Sequence, residues 1–248
     1  TPDTNTLLGE VPEIKNFFVC CGLNSIGIGS GGGVGKVTAE WLMTGHINQD
    51  IFSYDIKRFQ KFHSELGFIK KRITETLGDL YGMHWPFKQH KTSRNIMTTP
   101  YHEELKKAGA CFGVSGGYER AMWFALNNDK PEYKYSYNYQ NWYSAAEFET
   151  KNTTKNIGLY DLTPFSKFEL KGENAHEQLQ KLCTANVKNE IGKCTYTQML
   201  NPDGGIEADL TIVCLDRNYF RIISSAATRE RDKFHINKYL PNNLQLND

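Results

Sequence analysis

Across 248 residues, 29 Lys and Arg stand against 28 Asp and Glu, and a net charge of +1 excludes the strong field that a nucleic-acid or anionic-membrane partner calls for. With 39% hydrophobic and 12% aromatic residues the chain is globular rather than disordered, and it is long enough for one large or two ordinary domains. The six cysteines (Cys20, Cys21, Cys111, Cys183, Cys194, Cys214) include no C-x-x-C and no His at metal spacing, so no metal site is expected and all six read as reduced, mostly apolar residues.

The chain opens at Thr1 in a polar loop and stops at Leu-Gln-Leu-Asn-Asp, with no leader or transmembrane pattern between. The expectation is an interior piece of a longer polypeptide. Residues 16–22, Asn-Phe-Phe-Val-Cys-Cys-Gly, read as a strand, with Cys20 and Cys21 on opposite faces of a buried segment. A glycine run follows, Gly27-Ile28-Gly29-Ser30-Gly31-Gly32-Gly33-Val34-Gly35-Lys36, and a helix is predicted from about residue 33 to 43 with Gly45 as its C-cap.

A strand feeding a glycine turn that opens a helix gathers unpaired N–H groups and the positive helix end at one spot. A flat or anionic cofactor can approach that backbone without a Cβ in the way. Gly27, Gly29 and Gly32 satisfy G-x-G-x-x-G, a weak signal alone. A dinucleotide-binding βαβ unit needs a second strand ending in an acid about 20 residues on. Asp50 and Asp55 lie there, but residues 47–54 read as a short connection, so that reading fails. The P-loop reading fails at Ser30 and Val37. A glycine-rich packing turn without a ligand is the bland alternative.

Helical patterns cover residues 56–66 and 69–77, followed by an aromatic, basic loop at 81–90, a short helix at 101–108 and a strand at 110–114. The polar, tyrosine-rich stretch 127–141 is the best linker candidate. From Trp142 the pattern changes: a helix at 144–153, strands at 157–162 and 165–170, and a helix at 174–182. Strands at 193–200 and 206–215 flank Asn201-Pro202-Asp203-Gly204-Gly205, a hairpin turn by its chemistry. A strand at 219–224 and a helix at 228–239 complete an α+β module. His84 and Trp85 read as packed loop residues, Glu119 and Arg120 as a buried ion pair, and Lys70-Lys71-Arg72 as a solvated helix face.

Two blocks carry a specific resemblance. Residues 22–45, Tyr81-Gly-Met-His-Trp-Pro and Gly117-Tyr-Glu-Arg-Ala-Met-Trp-Phe resemble the final FAD-binding segment and middle region of the dimethylglycine and sarcosine dehydrogenase family. In that family a flavin domain of the D-amino-acid-oxidase type is fused to a folate-binding domain. Gly158-Leu-Tyr-Asp-Leu-Thr-Pro-Phe-Ser-Lys-Phe, residues 196–210 and Ser225-Ala-Ala-Thr-Arg-Glu are similar to the N-terminal half of aminomethyltransferase T-proteins of the glycine cleavage type. The resemblance implies a mixed α+β fold. Residues 1–46 would end a D-amino-acid-oxidase-like FAD domain, 47–141 would form its middle region, and 142–248 would be the N-terminal part of a T-protein-like folate-binding α+β domain.

The implied activity is FAD-dependent oxidative demethylation of an N-methylated amine, with tetrahydrofolate capturing the one-carbon unit. The implied partners are a small methylated amine of the dimethylglycine or sarcosine type, an electron acceptor and the remainder of the longer chain, with neither nucleic acid nor membrane. The implied location is bacterial cytoplasm, or the mitochondrial matrix in a eukaryote. Carried over by position, Gly27, Ile28, Gly29, Ser30, Gly31 and Gly32 contact FAD. Tyr196, Asp209, Leu210 and Thr211 contact tetrahydrofolate, with Asp209 assisting proton transfer. A carboxylate held on a strand after a hairpin can exchange protons with a basic nitrogen. T-proteins often show two acids before Leu; Ala208-Asp209 leaves one carboxylate for the role. Two other readings stand beside this one: a redox-inactive folate-dependent aminomethyltransferase or methyltransferase, and a non-catalytic regulatory relative.

Overall fold

Alternation of apolar and polar side chains builds the C-terminal strands. In Ile206–Asp216 the residues Ala208, Leu210, Ile212 and Cys214 are buried, and those between them turn outward. A computed structural model describes residues 1–127, 129–188 and 190–248. In chain order the elements are β1 (Leu7–Glu10), β2 (Phe18–Cys21), α1 (Gly27–Thr44), α2 (Leu66–Leu80), β3 (Met97–Thr98), α3 (His102–Lys107), β4 (Ala110–Ser115) and β5 (Tyr118–Phe124). They continue with α4 (Tyr143–Lys155), β6 (Ser166–Lys171), α5 (Ala175–Leu182), β7 (Cys194–Leu200), β8 (Ile206–Asp216), β9 (Tyr219–Ser224), α6 (Arg229–Tyr239) and β10 (Gln245–Asn247). They fall into two compact units, one of residues 3–61 with 165–248 and one of residues 62–164, with Thr1 in the first and Pro2 in the second.

In the first unit a five-stranded antiparallel sheet runs in the order β10-β6-β9-β8-β7. Its inner face, with Phe168, Leu170, Met199, Leu210, Ile212, Phe220 and Ile222, forms one core with Leu179 of α5 and Ile236 of α6. Burying each such side chain contributes about 1.5–3 kcal/mol. The outer edge of β7 is overlaid by the segment after α5: Thr184 N–H donates to the Gln198 carbonyl at 3.0 Å, and Ala185 N–H to Thr197 Oγ1 at 3.0 Å.

The same unit holds the antiparallel pair β1–β2, in register from Leu7↔Cys21 to Glu10↔Phe18. Trp41, the single buried residue of α1, meets Phe18 edge-on with ring centroids 5.6 Å apart. Gly9 has φ +117°, and a Cβ there would stand 2.3 Å from the Trp41 ring, so both backbone and space require glycine. Lys57 is buried against Asp55 at 3.1 Å and lies 4.5 Å from the Trp41 ring centroid. Burial pushes the Asp55 carboxyl up, and the Lys57 ammonium opposes that.

In the second unit β5 lies between β3 and β4. The β4–β5 hairpin turns through Gly116 and Gly117, both at positive φ. Cys111, Trp123 and Ala145 form a small core with Tyr133 and Trp142 packed on it. Glu119 is buried and takes Arg94 Nε at 2.7 Å and Asn95 N–H at 2.8 Å. Burial works against its charge, but the Arg94 guanidinium prevails and holds the carboxyl below its ordinary range.

Several local expectations are corrected. The glycine run is not a turn ahead of a helix at residue 33: α1 starts at Gly27 and contains it. Residues 56–66 form two 3-10 turns, Ile56–Arg58 and Lys61–Ser64, with Asp55 accepting from Lys57 N–H. Residues 157–162 form no strand, and Ile157 and Leu159 are exposed. Alternation makes a strand only where a neighbouring ladder accepts its N–H and C=O groups. Glu119 pairs with Arg94 rather than Arg120. Cys20 and Cys21 are both exposed, because β2 is a short strand paired on one side only. Among the described residues no helix is long and apolar enough to cross a membrane.

Candidate functional site

The glycines of α1 do not serve the fold. Gly29, Gly31, Gly32, Gly33 and Gly35 have nothing within 4 Å of where a Cβ would stand, and none has positive φ. Each costs a helix about 0.5–1 kcal/mol relative to alanine. At the start of α1 the N-cap Ile26 offers no side-chain acceptor and the first turn carries no acid, so its leading N–H groups have no side-chain partner there. Ile28 is fully exposed, and the Ser30 hydroxyl folds back to donate to the Ile26 carbonyl at 2.8 Å. The result is an exposed helix start with bare backbone, room for a flat ring and no competing negative charge. Those features fit FAD.

On the C-terminal sheet the hairpin turn is built by Asn201, whose Oδ1 accepts from Asp203 N–H at 3.0 Å and Gly205 N–H at 2.8 Å. The two strands it joins set Tyr196 opposite Thr211 and Gln198 opposite Asp209. Tyr196 Oη donates to Asp209 Oδ2 at 3.1 Å on the exposed outer face, which fixes the rotation of the carboxylate. Tyr196, Asp209 and Thr211 are therefore together. Leu210 faces the other way, 3% exposed in the core, and only its backbone can reach a ligand beside Asp209. An anchored, solvent-facing carboxylate beside a phenol fits a ligand that presents N–H groups and a flat ring.

The same outer face continues through Ile223, which is in register with both Thr211 and Lys167, and through Arg221, which donates to Glu169 at 2.8 Å. Tyr219 and Arg221 hold the Glu169 carboxyl down at about 2. Alternation within each strand signals this face, but the order of strands across the sheet, which makes these residues neighbours, is not written in any one segment.

Two other clusters complete the inventory. Glu75, Asp79 and His90 bring ligand atoms within 4.8 Å of one another, the one such group among the described residues. Asp79 already carries Lys88, and Glu75 accepts from Lys91 N–H at 2.6 Å and Thr92 N–H at 2.8 Å. A cavity of about 400 Å³ in the first unit is lined by Trp41, His46, Phe52, Lys57, Arg231 and His235, among others. His235 is buried, its Nε2 has no hydrogen-bond partner among the described residues, and burial pushes its pKa down.

The model of the GCVT N-terminal domain matches residues 101–248, and that of the FAD dependent oxidoreductase central domain matches residues 44–99. The chain belongs to the GCVT N-terminal domain family. This GCVT-family chain thus joins the two kinds of domain whose fusion the motifs imply, in the implied order, and its mixed α/β fold is the expected class. It is 39% identical to a 4-methylaminobutanoate oxidase (formaldehyde-forming) of Paenarthrobacter nicotinovorans, over 96% of this chain and 29% of that protein. It is 33% identical to mitochondrial sarcosine dehydrogenase of Homo sapiens, over 86% of this chain and 26% of that one. The mitochondrial pyruvate dehydrogenase phosphatase regulatory subunit of Mus musculus is 32% identical over 100% of this chain and 29% of its own length. The chain therefore spans less than a third of these relatives. A solved aminomethyltransferase T of the glycine cleavage system from Bartonella henselae is a distant likeness, with TM-score 0.47 and 21% identity over 61% of this chain and 38% of that one.

Proposed function

We propose that this chain is part of an FAD-dependent enzyme that oxidatively demethylates a small N-methylated amine and passes the carbon to tetrahydrofolate. The observation that carries the reading is the ordered occurrence of an oxidoreductase central domain and a GCVT N-terminal domain in one chain. The partition proposed with it is 1–46 and 47–141 for the flavin half and 142–248 for the folate half. The boundary between the two domain models, at residues 99 and 101, falls inside the second of these zones.

FAD, when bound, supplies the acceptor for the hydride leaving the N-methyl carbon. Gly27, Ile28, Gly29, Ser30, Gly31 and Gly32 would hold it through backbone contact, the open glycine face admitting the ring. The N-terminal end of α1 would favour negative charge on the reduced cofactor by about 0.3–1 kcal/mol. In the second half Tyr196, Thr211 and the Leu210 backbone would seat tetrahydrofolate, and Asp209 would move the proton that must shift during carbon capture. Tyr196 keeps the carboxylate oriented for that transfer. The remaining sequence of the chain, an electron acceptor, and a cytoplasmic or mitochondrial-matrix setting complete the proposal.

The test is made on the longer polypeptide: a panel of methylated amines is screened for bleaching of bound flavin, with and without tetrahydrofolate. Amine-dependent bleaching with methylene-folate formation is expected. A second reading, a non-catalytic regulatory protein, is favoured by the full-length match of this chain to a phosphatase regulatory subunit. A colourless protein that no amine reduces would select it. A folate-dependent transferase without redox chemistry would form a folate adduct with no flavin signal.

A further inference from the structure

We propose that His46 and Asp203 form a protonation-operated latch between two segments that line the 400 Å³ cavity in the unit of residues 3–61 and 165–248. His46 sits just beyond the C-cap Gly45 of α1, and Asp203 sits at the tip of the β7–β8 turn. The two are 157 residues apart in sequence, yet His46 Nε2 lies 2.6 Å from Asp203 Oδ2. Gly45 and His46 on one segment and Asn201 and Gly205 on another all line the cavity, so the pair ties two parts of its lining together. The Asp203 side chain is 55% exposed, which puts the tie at the solvent end.

The geometry specifies the charged ring. The other nitrogen, Nδ1, is 3.1 Å from the Thr44 carbonyl, so both ring nitrogens face acceptors. A neutral imidazole has one N–H and can satisfy only one of them; the imidazolium satisfies both. The Asp203 carboxylate, and after it the Thr44 carbonyl, raise the His46 pKa above its ordinary 6.5, while burial and the Lys238 ammonium on α6 oppose this. Asp203 is lowered in turn, chiefly by His46, with the Asn48 side chain assisting. Lys238 Nζ also donates to the Gly45 carbonyl at 2.5 Å, a second tether that runs from α6. Asp50, Asp55, Lys57, Glu207, Arg231, His235 and Tyr239 are the other titratable or charged groups that line the cavity.

Because the folded-state pKa of His46 is raised, the latch is closed below about pH 6.5 and is released as pH rises through the raised value. On release the neutral ring keeps one N–H, so one of the two hydrogen bonds of the imidazolium and its charge attraction to Asp203 are lost, while Lys238 still ties Gly45 to α6. The turn itself stays rigid, since Asn201 holds it independently. The cavity opens more often at alkaline than at acidic pH.

The experiment is amide hydrogen exchange on the full chain from pH 5.5 to 8.5, corrected for intrinsic rates, beside an NMR titration of the His46 ring. Residues 45–52 and 201–206 should exchange about twofold to fivefold faster above the His46 titration, as expected for loss of one exposed charged pair. Asp203→Asn should return the ring titration toward 6.5 and abolish the step in both segments. His46→Asn should give pH-independent exchange at the faster rate. Protection that ignores the His46 titration, or a step of equal size in Asp203→Asn, overturns the latch. The Asp203 side chain is 55% exposed, so its variant leaves the fold intact and carries the test even where His46, 13% exposed, is less tolerant of replacement.

Discussion

The C-terminal sheet and α1 belong to the same compact unit and use their residues in opposite ways. Each strand of the sheet divides its side chains, sealing Leu210 and Ile212 inside while Asp209 and Thr211 stand outside on the same β8. Fold and chemistry there occupy alternate positions and can be altered separately. Helix α1 has no such division: of 18 residues only Trp41 is buried, and its first turns are rich in glycines, five of which face open space where a Cβ would stand. Where the sheet is closed by its own chain, α1 is a surface held in place by one tryptophan. Its composition makes sense as a face offered to something else.

The largest effect separates chemistry from fold on the sheet. In the longer protein Asp209→Asn should slow methylene-folate formation by about 10²–10⁴, the usual loss for a positioned proton-transfer group. Flavin bleaching and thermal stability should stay as they were, since Asp209 is outside the core. Equal losses in both reactions would mean that outer-face residues support the fold, and the contrast drawn above would break.

Next comes the sealed face itself. Phe168 is fully buried at the centre of the core, and Phe168→Ala should cost about 3–5 kcal/mol in denaturant unfolding. No substitution in the glycine run should approach that figure.

A pH effect of middle size arises beside the core. Asp232 on α6 is 2% exposed and accepts from Thr228 Oγ1 at 2.6 Å, and burial pushes its carboxyl up to about 6 from its ordinary 3.8. Between those values the folded state binds the proton that the unfolded state has released, so stability falls as pH rises from about 4 to 6. A shift of this size corresponds to a few kcal/mol at neutral pH. Comparing wild type with Asp232→Asn by chemical unfolding at pH 4 and pH 7 isolates this: the variant should gain relative stability at the higher pH. An identical pH slope in the two proteins would show that the buried carboxyl titrates normally.

The smallest effect sharpens the comparison most. Gly32→Ala meets nothing within 4 Å and removes a poor helix former, so the chain should be stabilised by about 0.5–1 kcal/mol. In the longer protein the same change should lower flavin content, and the bulkier Gly32→Val should abolish it. Stability rising while flavin is lost would identify the run as kept for binding. Unchanged flavin in both variants would remove residues 27–32 from the site.

Much of this was legible in the sequence, for reasons that differ by segment. β7, β8, β9, α5 and α6 lie within a residue or two of their expected bounds, because strict alternation and Asn-Pro-Asp-Gly-Gly are local signals that the core reinforces. β5 was seen only as a motif, its Glu119-Arg120 dipeptide suggesting a neighbouring ion pair. The partner, Arg94, is fixed by tertiary folding that no local pattern records. Residues 157–162 alternate convincingly yet lack a partner strand. The glycine run misled in its own way: helix propensity argued for a turn, and the helix that forms shows propensity overridden by its place after β2. Of the residues proposed for folate, adjacency of Tyr196 and Asp209 depends on a register that the turn fixes, while the inward direction of Leu210 follows from parity with its neighbour.

The segment laid along β7 has a colloidal consequence. A seven-residue strand at the rim of a sheet is a template on which another chain can add a strand of its own. Here Thr184 already occupies part of that rim, its N–H on the Gln198 carbonyl and its hydroxyl accepting from Gln198 N–H, and Ala185 N–H is held on the Thr197 hydroxyl. A few residues of irregular backbone, anchored by Cys183 and Val187 in the core, act as a guard against fibre-like growth. Replacing Thr184 and Ala185 by glycine, with the core residues on either side kept, would loosen that cover and make concentrated solutions of the protein less durable.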